Sequence, residues 1–217
     1  MIEAVIFDMD GLMIDSEGNE SISYEKVLRE HGVEPRFNEA GVVQTVGIKS
    51  IDNWKRLKKE HSLAVSAEEL RVRKTEVYRE LLEKGVQAQA GLIELIADLE
   101  TAPVKKAVAS SSLRDTIGIV MGQLGLDTYF DAIVSGQDVE HGKPAPDIYL
   151  EAAHQLGVAP ENCVALEDAS AGVQAAHAAG MKVIAVPNRY TNTHTFDEAD
   201  LVVASLSDLN WNTIRNL

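Results

Sequence analysis

The chain has 217 residues, 45% of them hydrophobic and 25% charged, and a formal charge of −14 at pH 7. This is the composition of an ordinary globular protein, and its acidity argues against non-specific binding to nucleic acid. The single cysteine, Cys163, excludes an intramolecular disulfide and a cysteine-based zinc site; no apolar run is long enough to span a membrane, and the start has no basic leader, so a cytoplasmic location is expected.

In chain order, Ala4-Val5-Ile6-Phe7 is the first short apolar run. Further runs follow at Lys106-Ala107-Val108-Ala109, Ala132-Ile133-Val134, Cys163-Val164-Ala165-Leu166, Val183-Ile184-Ala185-Val186 and Leu201-Val202-Val203. Runs this apolar suit strands buried on both faces of a parallel sheet. Between them the apolar residues have helical spacing. One stripe is Leu92, Leu95, Ile96 and Leu99; a second is Ile117, Val120, Met121 and Leu124, stopped by Gly125. Two more are Ile148, Ala152 and Leu156 before Gly157, and Val173, Ala176 and Ala179 before Gly180. Glycine just past a helix is a common stop. Strand and helix in alternation predict an α/β fold, a doubly wound parallel sheet.

One interval breaks the alternation. From Asp15 to Lys84 no strand is found. A helix is predicted from Asp15-Ser16 through Ile22, Val27 and Leu28 to Gly32, and another on Ile51, Trp54, Leu57 and Lys58. Ser66-Ala67-Glu68-Glu69 reads as a capping box opening a third, which runs toward Gly85. The interval is too long for a crossover. It is expected to form an inserted α-helical cap domain, 15–84, with 1–14 and 85–217 forming the α/β core.

Ligands of open parallel sheets bind at the carboxyl ends of the strands. Here those ends carry Asp8-Met9-Asp10-Gly11, Ser110-Ser111-Ser112, Ser135-Gly136 and Glu167-Asp168, and the loop after the third strand carries Gly142-Lys143-Pro144. Four carboxylates gathered on one face repel unless a hard cation joins them, and Mg2+ takes oxygen ligands. A metal, a lysine, hydroxyls and a carboxylate nucleophile together suit phosphoryl transfer, where catalysis is mostly positioning and charge stabilisation. Side chains two apart in a strand share a face, so Asp8 and Asp10 are expected to flank one phosphorus. One would attack it, and the other would move the proton. Ser112 is expected to cap the following helix.

Taken together, Asp8-Met9-Asp10-Gly11, Ser110, Lys143-Pro144 and Glu167-Asp168 resemble the four motifs of the haloacid dehalogenase superfamily, in order and over essentially the whole chain. The helical insert resembles that of its β-phosphoglucomutase-like phosphatases. The resemblance implies a Rossmann-like core with a helical cap, Mg2+ as cofactor, and a small phosphorylated metabolite, such as a sugar phosphate, as substrate. It implies that Asp8 is nucleophile and metal ligand. Asp10 would be general acid and base and would bind the metal through its main-chain carbonyl. Ser110 and Lys143 would bind the phosphoryl group, with backbone amides near Asp10, Gly11 and Ser111 completing the cradle. Asp168 would bind the metal directly, and Glu167 through water. Asp10 argues against dehalogenation, because dehalogenases lack that second aspartate.

In the cap, Lys49 and Lys74 are candidate substrate anchors, Lys49 the better of the two because it sits where the family's cap presents a substrate loop. Glu17 and Glu20 read as solvated. A phosphomutase is the alternative activity. β-Phosphoglucomutase has a histidine at the position matching Glu20 and an arginine at Lys49-Ser50, and both departures weaken that reading. A non-catalytic phospho-switch of the receiver type shares the chemistry but lacks the insert.

Overall fold

The computed structural model describes residues 1–35 and 50–217, and for Glu17 the backbone alone. The chain divides into two compact units, Met1–Asp15 with Val86–Leu217, and Ser16–Gly85. The division falls one residue beyond the expected boundaries.

The larger unit is built on one six-stranded sheet of β1 (Ala4–Phe7), β2 (Lys105–Ser110), β3 (Ala132–Ser135), β4 (Cys163–Glu167), β5 (Lys182–Ala185) and β6 (Leu201–Val202). Every pairing is parallel and the spatial order is β3-β2-β1-β4-β5-β6. All four residues of β1 and all five of β4 are buried, which is why these strands read as unbroken apolar runs rather than alternating ones. The order reverses across β1, which pairs β2 on one side and β4 on the other. In a doubly wound sheet that reversal opens a crevice at the carboxyl ends of the central strands, and Asp8 and Asp168 are the first residues past β1 and β4.

Four predicted helices flank this sheet. In the numbering used for both units they are α4 (Leu92–Glu100), α5 (Arg114–Leu124), α6 (Asp147–Leu156) and α7 (Ser170–Ala178). Gly125 and Gly157 follow α5 and α6 at φ 67° and 65°, the left-handed stop for which glycine carries no steric penalty. The buried stripe of α4 consists of Leu92, Leu95, Ile96 and Leu99, as its spacing predicts. A last short helix, α8 (Trp211–Ile214), closes the chain.

The smaller unit contains α1 (Glu17–Glu30), α2 (Ser50–Glu60) and α3 (Ala67–Leu82), and no strand among its described residues. Its core gathers Tyr24, Val27, Leu28, Trp54, Leu57, Leu70 and Val77. The Tyr24 and Trp54 rings lie 4.9 Å apart, which packs α1 against α2. Ile22, expected on the apolar face of α1, is 49% exposed; Tyr24 takes the inward place because it is one helical turn from Val27 and Leu28. Ser66 caps α3 as expected: its hydroxyl accepts the Glu69 N–H, and the Glu69 carboxylate accepts the Ser66 N–H.

Candidate active site

β1 ends at Phe7, and the Asp8 N–H still joins the sheet, donating to the Leu166 carbonyl at 3.0 Å. Past it the backbone curls. The Met13 and Ile14 N–H groups both donate to the Met9 carbonyl, and the Gly11 N–H donates to the Ile14 carbonyl at 3.0 Å. Asp10 is therefore placed by a turn and not by the pleat of a strand. Gly11 has φ +90°, and a β-carbon there would collide with Asp168 Oδ2 and lie 3.0 Å from Asn188 Nδ2. The Gly11 amide, expected in a phosphate cradle, is instead spent on the turn. What the residue contributes is its fold and the room it leaves.

Lys143 binds the first and last motifs together. Its ammonium donates to Asp8 Oδ1 at 2.5 Å, to Glu167 Oε1 at 2.6 Å and to the Ala109 carbonyl at 3.3 Å. It also stands 5.0 Å from the Tyr149 ring centroid. The Tyr149 hydroxyl donates to the same Glu167 oxygen at 2.6 Å, and the Asp168 N–H donates to Glu167 Oε2 at 3.1 Å. A β-carbon at Gly172 would overlap the Glu167 carboxylate, so glycine at the start of α7 lets that group lie flat against the helix. Tyr149 is not among the residues that the sequence singles out. Its aromatic character gives the same signal as a packing residue, and only the fold brings its hydroxyl to Glu167.

On the other flank both Ser110 and Ser112 donate to Asp10 Oδ2, at 3.2 and 2.8 Å. Ser112 was expected to cap the following helix, but Leu113 holds that position and the Ser112 hydroxyl turns to Asp10. Ser110 is fully buried and also accepts the Ser112 N–H at 3.0 Å. Ser111, between them, is exposed.

Asp8, Glu167 and Asp168 each place a carboxylate oxygen within 4.8 Å of the others, and all three residues are buried. Burial pushes the Asp8 carboxyl well above the usual carboxylate range; Lys143 opposes this, while Glu167 and Asp10 add to it. Burial works to lower the Lys143 pKa, but the charges of Asp8 and Glu167 outweigh it and hold the ammonium well above an ordinary lysine. Lys143 is thus a fixed cation, and one ammonium faces more carboxylates than it can neutralise. Hard oxygen donors carrying excess negative charge in a buried cluster fit a divalent cation such as Mg2+. In the same unit a cleft of about 340 Å³ is lined by Gly11, Asp15, Gln89, Asn188, Arg189 and Ser205 among others, and by none of the three clustered carboxylates.

Of the candidates in the smaller unit, Lys49 lies outside the described residues. Lys74, proposed from the sequence as a substrate anchor, is buried inside the helices. Its ammonium pairs with Glu20 and stands 5.3 and 4.8 Å from the Tyr24 and Tyr78 ring centroids. A cation already held by a carboxylate and two rings is an interior tie between α1 and α3. Glu20, expected to be solvated, is an ion-pair partner whose side chain remains 29% exposed.

Residues 5–186 match the sequence model of the haloacid dehalogenase-like hydrolases. The chain is 34% identical over 213 residues to YhcW of Bacillus subtilis (strain 168), covering 96% of this chain and 94% of that one. It is 30% identical over 190 residues to the fructose-1-phosphate phosphatase YqaB of Escherichia coli (strain K12), covering 84% and 95%. Among solved structures, the β-phosphoglucomutase of Clostridium difficile superposes with a TM-score of 0.84 at 27% identity, covering 100% of this chain and 96% of that one.

Proposed function

The chain belongs to the haloacid dehalogenase-like hydrolases and is a phosphoric monoester hydrolase, and we propose that it is a magnesium-dependent phosphatase of a small sugar phosphate that works through a phosphorylated Asp8. The observation that carries this reading is the buried meeting of Asp8, Glu167 and Asp168, with Lys143 bonded to both Asp8 and Glu167.

In this reading Asp8 and Asp168 would hold the metal, with the Asp10 main-chain carbonyl, and Glu167 would reach it through water. Bound Mg2+ would neutralise the charge of the phosphoryl oxygens and keep Asp8 ionised despite its burial. Asp8 attacks phosphorus, the bond to the ester oxygen breaks, and Asp10 gives its proton to the departing alkoxide. Asp10, now a carboxylate, takes a proton from water. The water oxygen attacks phosphorus, the bond to Asp8 breaks, and inorganic phosphate leaves. Ser110 and Ser112 orient Asp10 for both proton transfers. Lys143 balances charge on Asp8 and the phosphoryl group. The sugar-phosphate substrate class is supported by the similarity to a fructose-1-phosphate phosphatase. Against the mutase alternative, Glu20, which the sequence resemblance sets at the position of a β-phosphoglucomutase histidine, is engaged with Lys74.

The test is release of inorganic phosphate from a panel of sugar phosphates, fructose 1-phosphate included, with and without Mg2+ and with no bisphosphate activator. Mg2+-dependent release is expected. Asp8→Asn should lower kcat by about three orders of magnitude or more, as loss of a nucleophile does. Undiminished turnover in that variant would overturn the nucleophile. Isomerisation of β-glucose 1-phosphate in place of phosphate release would overturn the phosphatase reading.

A further inference from the structure

Asn188 stands in the loop after β5, far in sequence from every motif of the site. Its carboxamide nitrogen donates to Asp168 Oδ2 at 2.8 Å and to the Gly11 carbonyl at 3.3 Å. Its oxygen accepts the N–H groups of Tyr190 and Thr191, at 2.8 and 3.2 Å. Its own N–H donates to the hydroxyl of buried Thr191 at 3.0 Å. The loop thus grips the side chain from behind and leaves its two donors facing forward. The Gly11 carbonyl is held a second time by Gln89 Nε2 at 3.1 Å. The absence of a β-carbon at Gly11 is what lets the three segments close, since one placed there would lie 2.8 Å from Asp168 Cγ and 3.0 Å from Asn188 Nδ2.

We propose that Asn188 is the positioning residue of the cation site, clamping the Asp168 carboxylate to the turn that carries Asp10 so that both sides of the metal cradle are held in register. The proposal rests on the reading of the carboxylate cluster as a magnesium site. A carboxamide suits the task. Its N–H bonds fix the carboxylate in one rotamer, and it carries no charge that would compete with the cation for Asp168, as a lysine would. Groups that orient a metal ligand from behind are worth about 10–100-fold in metal affinity.

The test uses Asn188→Ser and Asn188→Thr in the full chain. Either hydroxyl is able to accept the loop N–H groups in a serine- or threonine-type turn, and neither reaches Asp168. Circular dichroism and the melting temperature of the metal-free proteins identify which variant is folded and carries the test. Titration calorimetry with MgCl2 is expected to show a dissociation constant raised about 10–100-fold. The Mg2+ concentration for half-maximal activity should rise in parallel while kcat at saturating Mg2+ is retained, a split that general loosening of the fold would not produce. Wild-type Mg2+ affinity in a folded variant overturns the role of Asn188. If the wild-type chain itself binds no Mg2+, it is the metal reading that fails.

Discussion

Tyr149 and Lys143 meet on a single oxygen, Glu167 Oε1, each at 2.6 Å. Burial pushes the Tyr149 phenol well above its ordinary pKa, and the Glu167 charge adds to this, so the group is a neutral donor at any working pH. Tyr149→Phe removes one hydrogen bond to a buried carboxylate, an interaction worth about 1.5–3 kcal/mol, and leaves the ring beside Lys143. The expected outcome is a loss of that size in denaturant unfolding, with a lowered kcat as Glu167 and Lys143 gain freedom. Stability and kcat both equal to wild type would show that the hydroxyl contributes nothing. Side chains of this kind explain what the sequence left unread at the residue scale. Asp8, Asp10, Lys143, Glu167 and Asp168 stand out because clustered charge at strand ends is costly without a purpose. Tyr149 and Asn188 carry no such cost, and Ser112 has an innocent explanation as a helix cap.

At the scale of elements, strands and helices were largely legible because burial imposes a period. β1 and β4 are apolar throughout since both their faces are covered, and glycine stops mark the ends of α5 and α6. The Ser66 capping box was legible too, since it needs only residues three apart. Its hydroxyl satisfies the Glu69 N–H at 3.2 Å and also donates to the Glu69 carboxylate at 2.6 Å. Ser66→Ala should cost about 1 kcal/mol, read as a lower melting temperature of the helical unit, with the metal affinity of the α/β unit unchanged. A melting temperature equal to wild type would mean that solvent replaces the cap without loss. The Asp10 turn was misread at this scale. Period-two reasoning holds only while the chain remains a strand, and β1 ends at Phe7.

For the whole molecule, the insertion point follows from how the larger unit closes around it. Ile14 bridges Ala88 in antiparallel fashion, the Asp15 N–H donates to the Gln87 carbonyl at 3.2 Å, and the Gln89 N–H to the Met13 carbonyl at 2.9 Å. The outgoing and returning chains are therefore fastened side by side, so the 70-residue stretch Ser16–Gly85 leaves and re-enters at one place without opening the sheet. The meeting of Asp8, Glu167 and Asp168 exists only in the folded state, so under the proposed metal reading Mg2+ binds that state in preference to the unfolded chain. Mg2+ at 100 times its dissociation constant should add about 2.7 kcal/mol. That corresponds to roughly 5–10 °C in melting temperature for a chain of this size, and EDTA should remove it. A melting temperature indifferent to Mg2+ would contradict a metal held by Asp8 and Asp168.

The sequence by itself determined the parallel sheet, the helical insert, the family and the charged residues that meet at the strand ends. Each of these rests on a local pattern: an apolar run, a helical period, a glycine stop, or carboxylates that would repel if nothing were bound. Only the tertiary structure decided the rest. It turned Ser112 from a cap into a partner of Asp10, put Lys74 inside the helices, spent the Gly11 amide on a turn, and brought Asn188 and Tyr149 to Asp168 and Glu167. The direction of a neutral side chain is set by packing between segments distant in the chain, and no spacing within either segment records it.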